Sequence, residues 1–497
     1  MSMNFSFDHL RSTLRGERPG RPEPEQPFRV LVIGDLSGRA SRGQVEPLSG
    51  RKVHALDIDT MDTVMSSLNV RLAIGASTPR ALGMGFREID DFHPDTLLVR
   101  VEVFGALRSL RARLLNPASS AAAAAEIRAW ASPASSIIEP KPAEAPATPQ
   151  SEFEALLGTG SRSGATNPQR SQLDALIRDL VGPSIVPGAE PDFAHLAATI
   201  DGAISDLMRG ILHDPAFQSL EAAWRSVHEL ITRLELSEDL TLSVLDASRA
   251  ELADDLVAHR GAGLMDLLVE RPRRTAGANP WSVICLLESF DATVEDAHLA
   301  GGLALAAHAA GAPLLAGASA GMIGSASIAE QPRPENWTQQ TSADAGRAWD
   351  LVQSMPEAAA LGLALPRVLL RQPYSPRTNP IDAFEFDECP PSSPHESYLW
   401  GNAAMCPTLI LARGFAERGW MLDVESGGDI ESLPVVVRGS GSDAIALPCA
   451  EAWLTDTASQ RLLERGVIPI LSVQHRDAVR VPRLCSIVGD RLAARWA

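Results

Sequence analysis

The sequence predicts a mixed α/β fold in two blocks, which are joined by an Ala/Pro-rich linker and preceded by an extended N-terminal strand. Short apolar runs typical of buried strands alternate with stretches of helical period, a pattern that favours a sheet with helices on its faces. A segment rich in Ala, Pro and Ser separates the two blocks, as a semi-rigid spacer would. Residues 3–7, MNFSF, alternate apolar and polar side chains, and a Pro-rich tether follows them to Pro27.

These features predict four segments of the chain. They are an N-terminal strand and tether (1–27), a first block (28–116), a linker with a short helix (117–172) and a second block (173–497). The Pro/Ala composition of the linker predicts an extended backbone, and the stretch SEFEALL (151–157) predicts its short helix.

The first block begins with the apolar run FRVLVIG, which predicts a buried strand that ends at Gly34. Asp59 or Thr60 then caps a helix, and Pro94 marks a turn into a second helix that we expect Asp95 to cap. The predicted strands are 28–34, 53–59, 70–75 and 83–89, and the predicted helices are 60–68 and one within 90–115.

The second block opens with predicted helices and then alternates strands with helices. Asp214 and Pro215 form the favoured N-cap and N1 pair of a helix, and apolar side chains after them recur on one face. That face consists of Phe217, Leu220, Trp224, Val227 and Ile231. The predicted strands are 240–248, 281–289 and 313–318, the other predicted helices are 171–182, 192–212, 249–259 and 293–310, and a hairpin turn is predicted at 437–443.

The composition excludes several classes of function. With a formal net charge of −18 and a pI near 5.1, the chain lacks the basic character that binding to nucleic acid or to an anionic membrane requires. Its only lysines, Lys52 and Lys141, do not follow the Gly-rich pattern of a P-loop, so no P-loop nucleotidase is expected. The five cysteines include no C-x-x-C pair, which indicates free thiols in a reducing compartment rather than disulfides or a zinc site.

We expect a cytoplasmic protein without membrane insertion. The N-terminus has no charged segment followed by an apolar run, so no secretory signal is predicted. The uncharged run 297–329 is long enough to span a bilayer. Its Ala, Gly and Ser content, its two histidines and Pro313 instead favour a buried helix to about Gly311, a turn and a buried strand.

One motif points to an enzyme. GASAG at 317–321 matches the G-x-S-x-G nucleophile elbow after an apolar strand, which gives the alternative of a serine hydrolase that uses Ser319. Such an elbow needs a helix after it and a catalytic His, but the only later histidines, His395 and His475, lie in no recognisable motif. Because the run is rich in Gly, Ser and Ala, a small-residue strand end is favoured, and no catalytic residue is predicted.

Several His- and acid-containing segments lack the spacing of a defined metal site. His213 and His228 are fifteen residues apart, so they cannot form an i,i+4 ligand pair. The segment 89–95, IDDFHPD, favours a turn and a helix cap. The prolines of 384–396 favour a surface loop over a metal site formed by Glu385, Asp387, Glu388, His395 and Glu396. We predict neither a metal nor a cofactor.

Both blocks resemble subunits of the type VI secretion contractile sheath. In the first block, the stretches that resemble the small, TssB-like subunit are FRVLVIGDLSG, IDTMDTVMSSLNVRL and FREIDDFHPDTLLVRVEVFGALRSLRARL. In the second block, those that resemble the large, TssC-like subunit are ILHDPAFQSLEAAWRSVHELI, LSVLDASRAELADDL, LALPRVLLRQPY, FEFDE, YLWGNAAM and Gly419–Trp420. Since they cover most of 28–115 and of 192–487 in the family's order, the chain resembles a natural fusion of both subunits.

The resemblance implies two mixed α/β sheath domains and a structural role without enzyme activity. Sheaths of this family are helical cytoplasmic tubes that surround an inner tube and drive it outwards when they contract. Neighbouring protomers exchange strands through extended termini. The implied assembly strand consists of Met3, Asn4, Phe5, Ser6 and Phe7. The implied family-motif core consists of Phe217, Leu220, Glu221, Trp224 and Arg225.

The implied partners are further copies of the chain in a helical polymer, the inner tube protein and baseplate proteins. A recycling AAA+ ATPase is a further implied partner, since the family's large subunit docks it through an N-terminal helix. The positional counterpart of that helix consists of Ser151, Phe153, Leu156 and Leu157. The family's large subunit continues with a further helical segment beyond the counterpart of Ala497. Because this chain differs from the family in that respect, a second hypothesis is a non-polymerising cap or scaffold component of the secretion apparatus.

Overall fold

In a computed structural model the chain has the mixed α/β fold that the sequence predicts. The structure describes residues 11, 19–74, 82–131, 175, 177–179, 181, 193–275, 278–439 and 444–497. The strands are β1 (Phe28–Gly34), β2 (Val53–Leu56), β3 (Arg71–Ile74), β4 (Leu82–Gly85), β5 (Leu240–Asp246), β6 (Val283–Phe290), β7 (Leu314–Ala318), β8 (Leu361–Leu365), β9 (Val368–Leu369), β10 (Trp400–Gly401), β11 (Ser426–Ile430), β12 (Val437–Arg438), β13 (Ile445–Ala446), β14 (Val467–Pro469), β15 (Leu471–Ser472) and β16 (Val479–Arg483).

The helices lie between these strands. They are α1 (Met61–Leu68), α2 (Pro94–Arg100), α3 (Glu102–Leu115), α4 (Ser120–Ala131), α5 (Phe193–Leu212), α6 (Pro215–Arg233), α7 (Arg249–Val257), α8 (Ala262–Met265), α9 (Arg271–Arg274), α10 (Val294–Ala310), α11 (Ala343–Gln353), α12 (Met405–Arg418) and α13 (Asp456–Glu464). A π-helical turn, Asp266–Glu270, connects α8 to α9. The chain forms two compact units, Met1–Pro94 with Ile211–Ala497, and Asp95–Gly210.

The main sheet of the larger unit combines strands of both sequence blocks. Its order is β14-β8-β7-β6-β1-β5-β2, and all neighbours are parallel except β2, which runs antiparallel to β5. Smaller antiparallel sheets have the orders β11-β16-β15, β9-β10, β12-β13 and β3-β4. The β12-β13 pair flanks the predicted hairpin turn. The boundaries of the two predicted domains stay a prediction, but both blocks share the central sheet.

Strand β1 lies at the centre of this sheet. It pairs with β5 over its whole length, from Phe28 opposite Leu240 to Gly34 opposite Asp246. On its other side Val30 to Ile33 pair with β6. Every β1 residue except Arg29 is buried, as expected for a parallel strand that is covered on both faces. The first block therefore supplies the strand that connects β5 to β6.

Helix α6 begins and packs as the sequence predicts. The Asp214 carboxylate accepts hydrogen bonds from the backbone N–H groups of Ala216 and Phe217, at 2.9 and 3.2 Å, and Pro215 occupies the first turn. The predicted apolar face is buried, with Trp224 fully so. The Trp224 indole N–H donates to the backbone carbonyl of Leu36 at 2.8 Å, directly after β1. A side chain of the second block thereby fixes the chain direction of the first.

The long uncharged run is part of the core. It forms α10, a left-handed turn at Gly311 with a φ of 70°, and β7, as predicted. Most of α10 is buried on all sides. Within the part of the chain that the structure describes, no helix has both the length and the apolar character needed to cross a membrane.

Several predicted boundaries in the first block were wrong. The strand at 53–59 ends at Leu56, because the Asp57 carboxylate accepts the N–H groups of Asp59 and Thr60 and starts a turn. Asp95 does not cap a helix, since α2 already begins at Pro94 and Asp95 lies within its first turn. The strand at 83–89 ends at Gly85, and a 3-10 helix follows at Ile89–Phe92.

The smaller unit contains a helix inside the predicted linker. Helix α4 forms in the Ala-rich part of 117–172, because alanine has the highest helix propensity and Ala123, Ala124 and Ile127 are fully buried. It packs against α3, and Arg113 of α3 pairs with Glu126 of α4 at 2.6 Å. The described residues between 175 and 181 are helical, in agreement with the predicted helix at 171–182.

We expect Trp224→Ala to lower the free energy of unfolding by about 3–5 kcal/mol, because it leaves a cavity in the core. Trp224→Phe should cost less, about 1–3 kcal/mol, mainly because the buried Leu36 carbonyl loses its donor. Urea unfolding followed by circular dichroism measures both. Trp453→Ala is the matched control, since that side chain is 38% exposed, and we expect a much smaller loss. Equal losses for Trp224→Ala and Trp453→Ala would contradict the packing described here.

Candidate functional site at the junction of the two blocks

The family-motif residues of α6 lie at the junction of the two blocks. Phe217, Leu220, Glu221 and Trp224 are buried, and the Arg225 side chain is 23% exposed. One face of the helix therefore carries large apolar side chains together with a buried carboxylate. A buried carboxylate is costly unless it is paired, so its partners decide what this face can do.

Aromatic rings of the first block surround Phe217. Phe86 and Phe92 stack on each other with ring centroids 4.3 Å apart. Both meet Phe217 edge-on, at 6.0 and 5.7 Å. Edge-to-face pairs add to the energy of apolar burial. Together with the Trp224 hydrogen bond, they hold α6 against the first block at two points of the helix.

Glu221 belongs to a buried cluster of charged side chains. Its carboxylate accepts hydrogen bonds from Arg371, at 2.8 and 3.3 Å, and from Arg225 at 2.7 Å. Arg371 also makes a bidentate pair with Glu388, at 2.7 and 2.9 Å. Glu388 in turn accepts the backbone N–H of Tyr374 at 2.8 Å. This charge-assisted network connects α6 to the segments that contain LLRQPY and FEFDE.

The charges of this cluster stabilise one another. Burial alone would raise the pKa of Glu221, but Arg371 and Arg225 outweigh burial and hold the pKa below its usual range. Burial would lower the pKa of Arg371, whereas Glu221 and Glu388 raise it well above its usual value. Both groups therefore stay charged at neutral pH. The arrangement suits a fixed scaffold rather than proton transfer.

A second ionic network joins the first block to β5 and α7. The Asp246 carboxylate accepts the backbone N–H groups of Leu36 and Ser37, at 2.9 and 3.0 Å, and pairs with Arg39. Glu251 accepts two hydrogen bonds from Arg51, at 2.6 and 2.9 Å. Both acids belong to the second block, whereas Leu36, Ser37, Arg39 and Arg51 belong to the first.

Glu251 also belongs to the capping box of α7. Its carboxylate accepts the Ser248 backbone N–H at 2.9 Å, while the Ser248 hydroxyl accepts the Glu251 N–H. Burial would raise the pKa of Glu251, but its bonds to Arg51 and Ser248 outweigh burial and lower it. The sequence indicates a capped helix here but not the arginine partners, which lie about 200 residues away in the chain.

The Gly419–Trp420 pair holds the start of β1. The Trp420 indole N–H donates to the Gln26 carbonyl at 3.0 Å. The Phe28 ring lies 5.0 Å from Phe415, 5.7 Å from Trp420 and 6.0 Å from Trp496 between centroids. Both ends of β1 are thus held by tryptophans of the second block.

Ser319 is not placed as a nucleophile. It follows β7 with extended backbone and precedes a short 3-10 helix, Ala320–Ile323, instead of the helix that an elbow requires. Its buried hydroxyl has no hydrogen-bond partner among the described residues, so neither His395 nor His475 is hydrogen-bonded to it. The strand–turn–helix arrangement that a serine hydrolase needs is therefore not formed around Ser319.

The acidic segment 384–396 is divided between two clusters. One brings His213 together with Glu388 and Cys389, and the other brings His395 together with Glu396 and Glu451. Arginine already neutralises both sets, since Arg371 pairs with Glu388 and Arg367 pairs with Glu396 and Glu451. Burial raises the pKa of the Cys389 thiol to about 12, which disfavours a thiolate ligand. Glu385 and Asp387 belong to neither cluster.

Two predicted sites lie outside the described residues. They are the assembly strand, Met3, Asn4, Phe5, Ser6 and Phe7, and the docking helix, Ser151, Phe153, Leu156 and Leu157. The structure gives no account of either.

Comparison with known proteins identifies both blocks. The family model VipB, described as the EvpB tail sheath N-terminal domain, matches residues 194–482, which is more than half of the chain. The model for VipA of the type VI secretion system matches residues 19–130. Both are families of sheath proteins and not of enzymes.

A curated relative agrees with these matches. The type VI secretion system sheath protein TssC1 of Pseudomonas aeruginosa is 28% identical over 291 residues, which are 57% of this chain. The chain spans 58% of the length of that relative. The chain therefore belongs to the VipB tail sheath family and carries a VipA-type portion in the same polypeptide, as a fusion of the two type VI secretion sheath components.

Proposed function

We propose that the chain is the protomer of a cytoplasmic contractile sheath that encloses the inner tube of a type VI secretion system. The observation that carries this proposal is the position of β1. This strand belongs to the VipA-type portion and lies between β5 and β6 of the VipB-type portion. One polypeptide thus supplies both sheath components in a fixed one-to-one ratio, with a shared core.

The buried ion pairs support a mechanical role for the junction. Arg39 and Arg51 reach across to Asp246 and Glu251, and Arg371 connects Glu221 with Glu388. Buried charges favour a single geometry, because any shift leaves a charge unpaired. The larger unit would therefore keep one geometry, and contraction would come from a rearrangement between protomers.

Residues 3–7 are the proposed connection between protomers. An extended strand with alternating side chains adds to an exposed sheet edge through main-chain hydrogen bonds. The acceptor we favour is β11, an edge strand of the small sheet, whose residues Ser426 to Asp429 are half-buried. No described strand pairs with the other edge of β11. Repetition of this heterologous contact would build a helical tube.

The remaining proposed partners follow from the sheath role. They are the inner tube protein inside the sheath, baseplate proteins at one end and a recycling AAA+ ATPase. We propose residues Ser151 to Leu157 as the docking element for the ATPase. No enzyme activity of the chain itself is part of the proposal.

We expect the purified full chain to form tubes or sheets in negative-stain images, and deletion of residues 1–10 to leave small soluble particles. Changing Phe5 and Phe7 to Ala should shorten or abolish the tubes, because both side chains lie on the same face of the proposed strand. The same change at Asn4 and Ser6 is the matched control and should have less effect. A full chain that stays small at high concentration, even with the inner tube protein, would instead favour the non-polymerising cap or scaffold.

The shared core predicts that the covalent linker is dispensable once the chain has folded. A protease site introduced within residues 145–150 should allow the chain to be cut while both fragments still elute together from a sizing column. The reason is that β1 stays hydrogen-bonded on both sides by the other fragment. Separation of the fragments without denaturant would refute a shared sheet.

We expect Glu251→Gln to lower the free energy of unfolding on the order of 3–5 kcal/mol at pH 7, because it leaves Arg51 without its buried counter-ion. Since folding lowers the pKa of Glu251, its contribution is present above the ordinary value of 4.5 and is lost as the pH falls through the folded value. The difference between wild type and variant should therefore shrink in acid.

Urea unfolding at pH 7 and at a pH below 4.5 measures the effect of Glu251→Gln. The matched control is Glu464→Gln, which breaks an exposed pair with Arg461 and should cost about 0.5 kcal/mol or less. A cost for Glu251→Gln as small as that of the control would show that the junction pair contributes little.

A further inference from the structure

A groove of about 440 Å³ lies beside α6, at the carboxyl end of β6. On the α6 side, small side chains at helical spacing line it, namely Ser219, Ala222, Ala223 and Ser226. Across from them lie Leu287, Glu288 and Ser289, and Tyr398 and Trp400 also line it. Its volume falls in the range of about 300–1,000 Å³ that is typical of ligand sites.

Ser226 belongs to the lining of this groove, and its side chain is buried. Ser226 is 1% exposed, and its Oγ has no hydrogen-bond partner among the described residues. Buried hydroxyl groups are almost always hydrogen-bonded, because leaving one unpaired is costly. A polar group bound in the groove would supply the missing hydrogen bond.

The carboxylates of the groove exceed its positive charges. Glu288 has one cationic neighbour, Arg249, at 3.6 Å, and Arg249 also pairs with Asp296. Asp35 accepts two backbone N–H groups at 2.8 Å but has no ion pair among the described side chains. The one arginine in the lining, Arg367, already pairs with Glu396 and Glu451. The groove thus has a net negative charge and suits a cation.

The arrangement suits an organic cation better than a metal ion. Among the described residues, two groups of side chains have possible metal-ligand atoms within 4.8 Å of one another. Neither group contains Asp35 or Glu288. Tyr398 and Trp400 line the groove, with Arg438 over the Tyr398 ring at 5.5 Å and His395 stacked on Trp400 at 4.6 Å. A cation–π contact in the groove would therefore use the second face of Trp400. A guanidinium group is planar, stacks on aromatic rings and donates several hydrogen bonds at once. It can therefore use the carboxylate, the hydroxyl and an aromatic face together.

We propose that this groove binds a guanidinium cation, supplied by an arginine side chain of a neighbouring copy of the chain. The choice of arginine rests on composition, since 44 residues are Lys or Arg and only two of them, Lys52 and Lys141, are lysines. The choice of a neighbouring copy rests on the proposed function. A free small guanidinium compound has the same chemistry and is the alternative source.

The pH dependence of binding has a definite sign. Burial raises the pKa of Glu288 to about 6, although Arg249 opposes the rise. As the pH falls below 6 the carboxyl becomes neutral, so binding should weaken severalfold between pH 7 and pH 5. The charged or titratable groups around it are Asp35, His213, Arg249, Asp296, Arg367 and Glu396. Glu288→Gln removes this titration, so probe binding to the variant should not show the severalfold change between pH 7 and pH 5.

The test uses n-butylguanidinium as the probe and calorimetric titration of the full chain as the measurement. Its neutral, planar analogue n-butylurea should bind at least tenfold more weakly. Glu288→Gln should weaken probe binding at least tenfold, and Glu335→Gln, an exposed carboxylate outside the groove lining, should leave it unchanged. Equal binding of the two compounds, or unchanged binding to Glu288→Gln, would overturn the proposal.

Ser226→Ala provides a second variant in case Glu288→Gln does not fold. It removes the unpaired hydroxyl without loss of an internal hydrogen bond, so the unfolding midpoint should not fall, while probe binding should weaken at least threefold. A purely structural role of Ser226 predicts unchanged probe binding, and that result would count against the site.

Negative-stain imaging distinguishes the two sources of the guanidinium. If a neighbouring copy supplies it, Glu288→Gln should shorten or abolish wild-type tubes. Tubes that form equally well with the variant, together with intact probe binding to wild type, would overturn the neighbour as the source and assign the groove to a free compound. If even wild type forms no tubes, the sheath proposal fails, while probe binding still tests the groove on its own.

Discussion

The structure depends on the insertion of β1 between β5 and β6. A central parallel strand uses its main-chain hydrogen bonds on both sides, so its absence would leave two neighbouring strands with unpaired, buried edges. Neither block can complete the main sheet alone. The covalent connection between the blocks raises the effective concentration of β1 near β5 and β6. The position between these two strands is formed by the second block alone.

The charged residues of the junction follow from that insertion. Where β1 ends, the chain turns at Leu36, whose carbonyl accepts the Trp224 indole and whose N–H donates to Asp246. The turn then brings Arg39 and Arg51 to the buried acids at the end of β5 and the start of α7. Such pairs add little net stability compared with apolar residues of the same size. We propose that their effect is specificity, since a slip of β1 by one residue would shift Leu36 and Arg39 relative to Asp246 and reverse the buried faces of the strand.

The sequence predicts local features well because their causes are local. FRVLVIG predicts β1, and the Asp214–Pro215 pair predicts the start of α6, since strand hydrophobicity and helix capping involve residues close in the chain. The neighbours of β1 could not be predicted, because they are more than 200 residues away. The partners of Glu221 likewise lie 150 residues away at Arg371. The GASAG motif could not predict a serine hydrolase for the same reason. A nucleophilic serine needs partners that are distant in the sequence, and a five-residue motif does not specify them.

Helix α6 has one face of large side chains that packs in the core and one face of small side chains that borders the groove. Its large side chains, Phe217 and Trp224, fill the core and fix the first block. The small side chains of its other face, Ala222 and Ala223, cannot fill the space beside the sheet, so a groove remains. Core packing explains the first face completely, but it gives no reason for a buried, unpaired hydroxyl at Ser226 on the second. The proposed guanidinium contact in the groove would provide that reason.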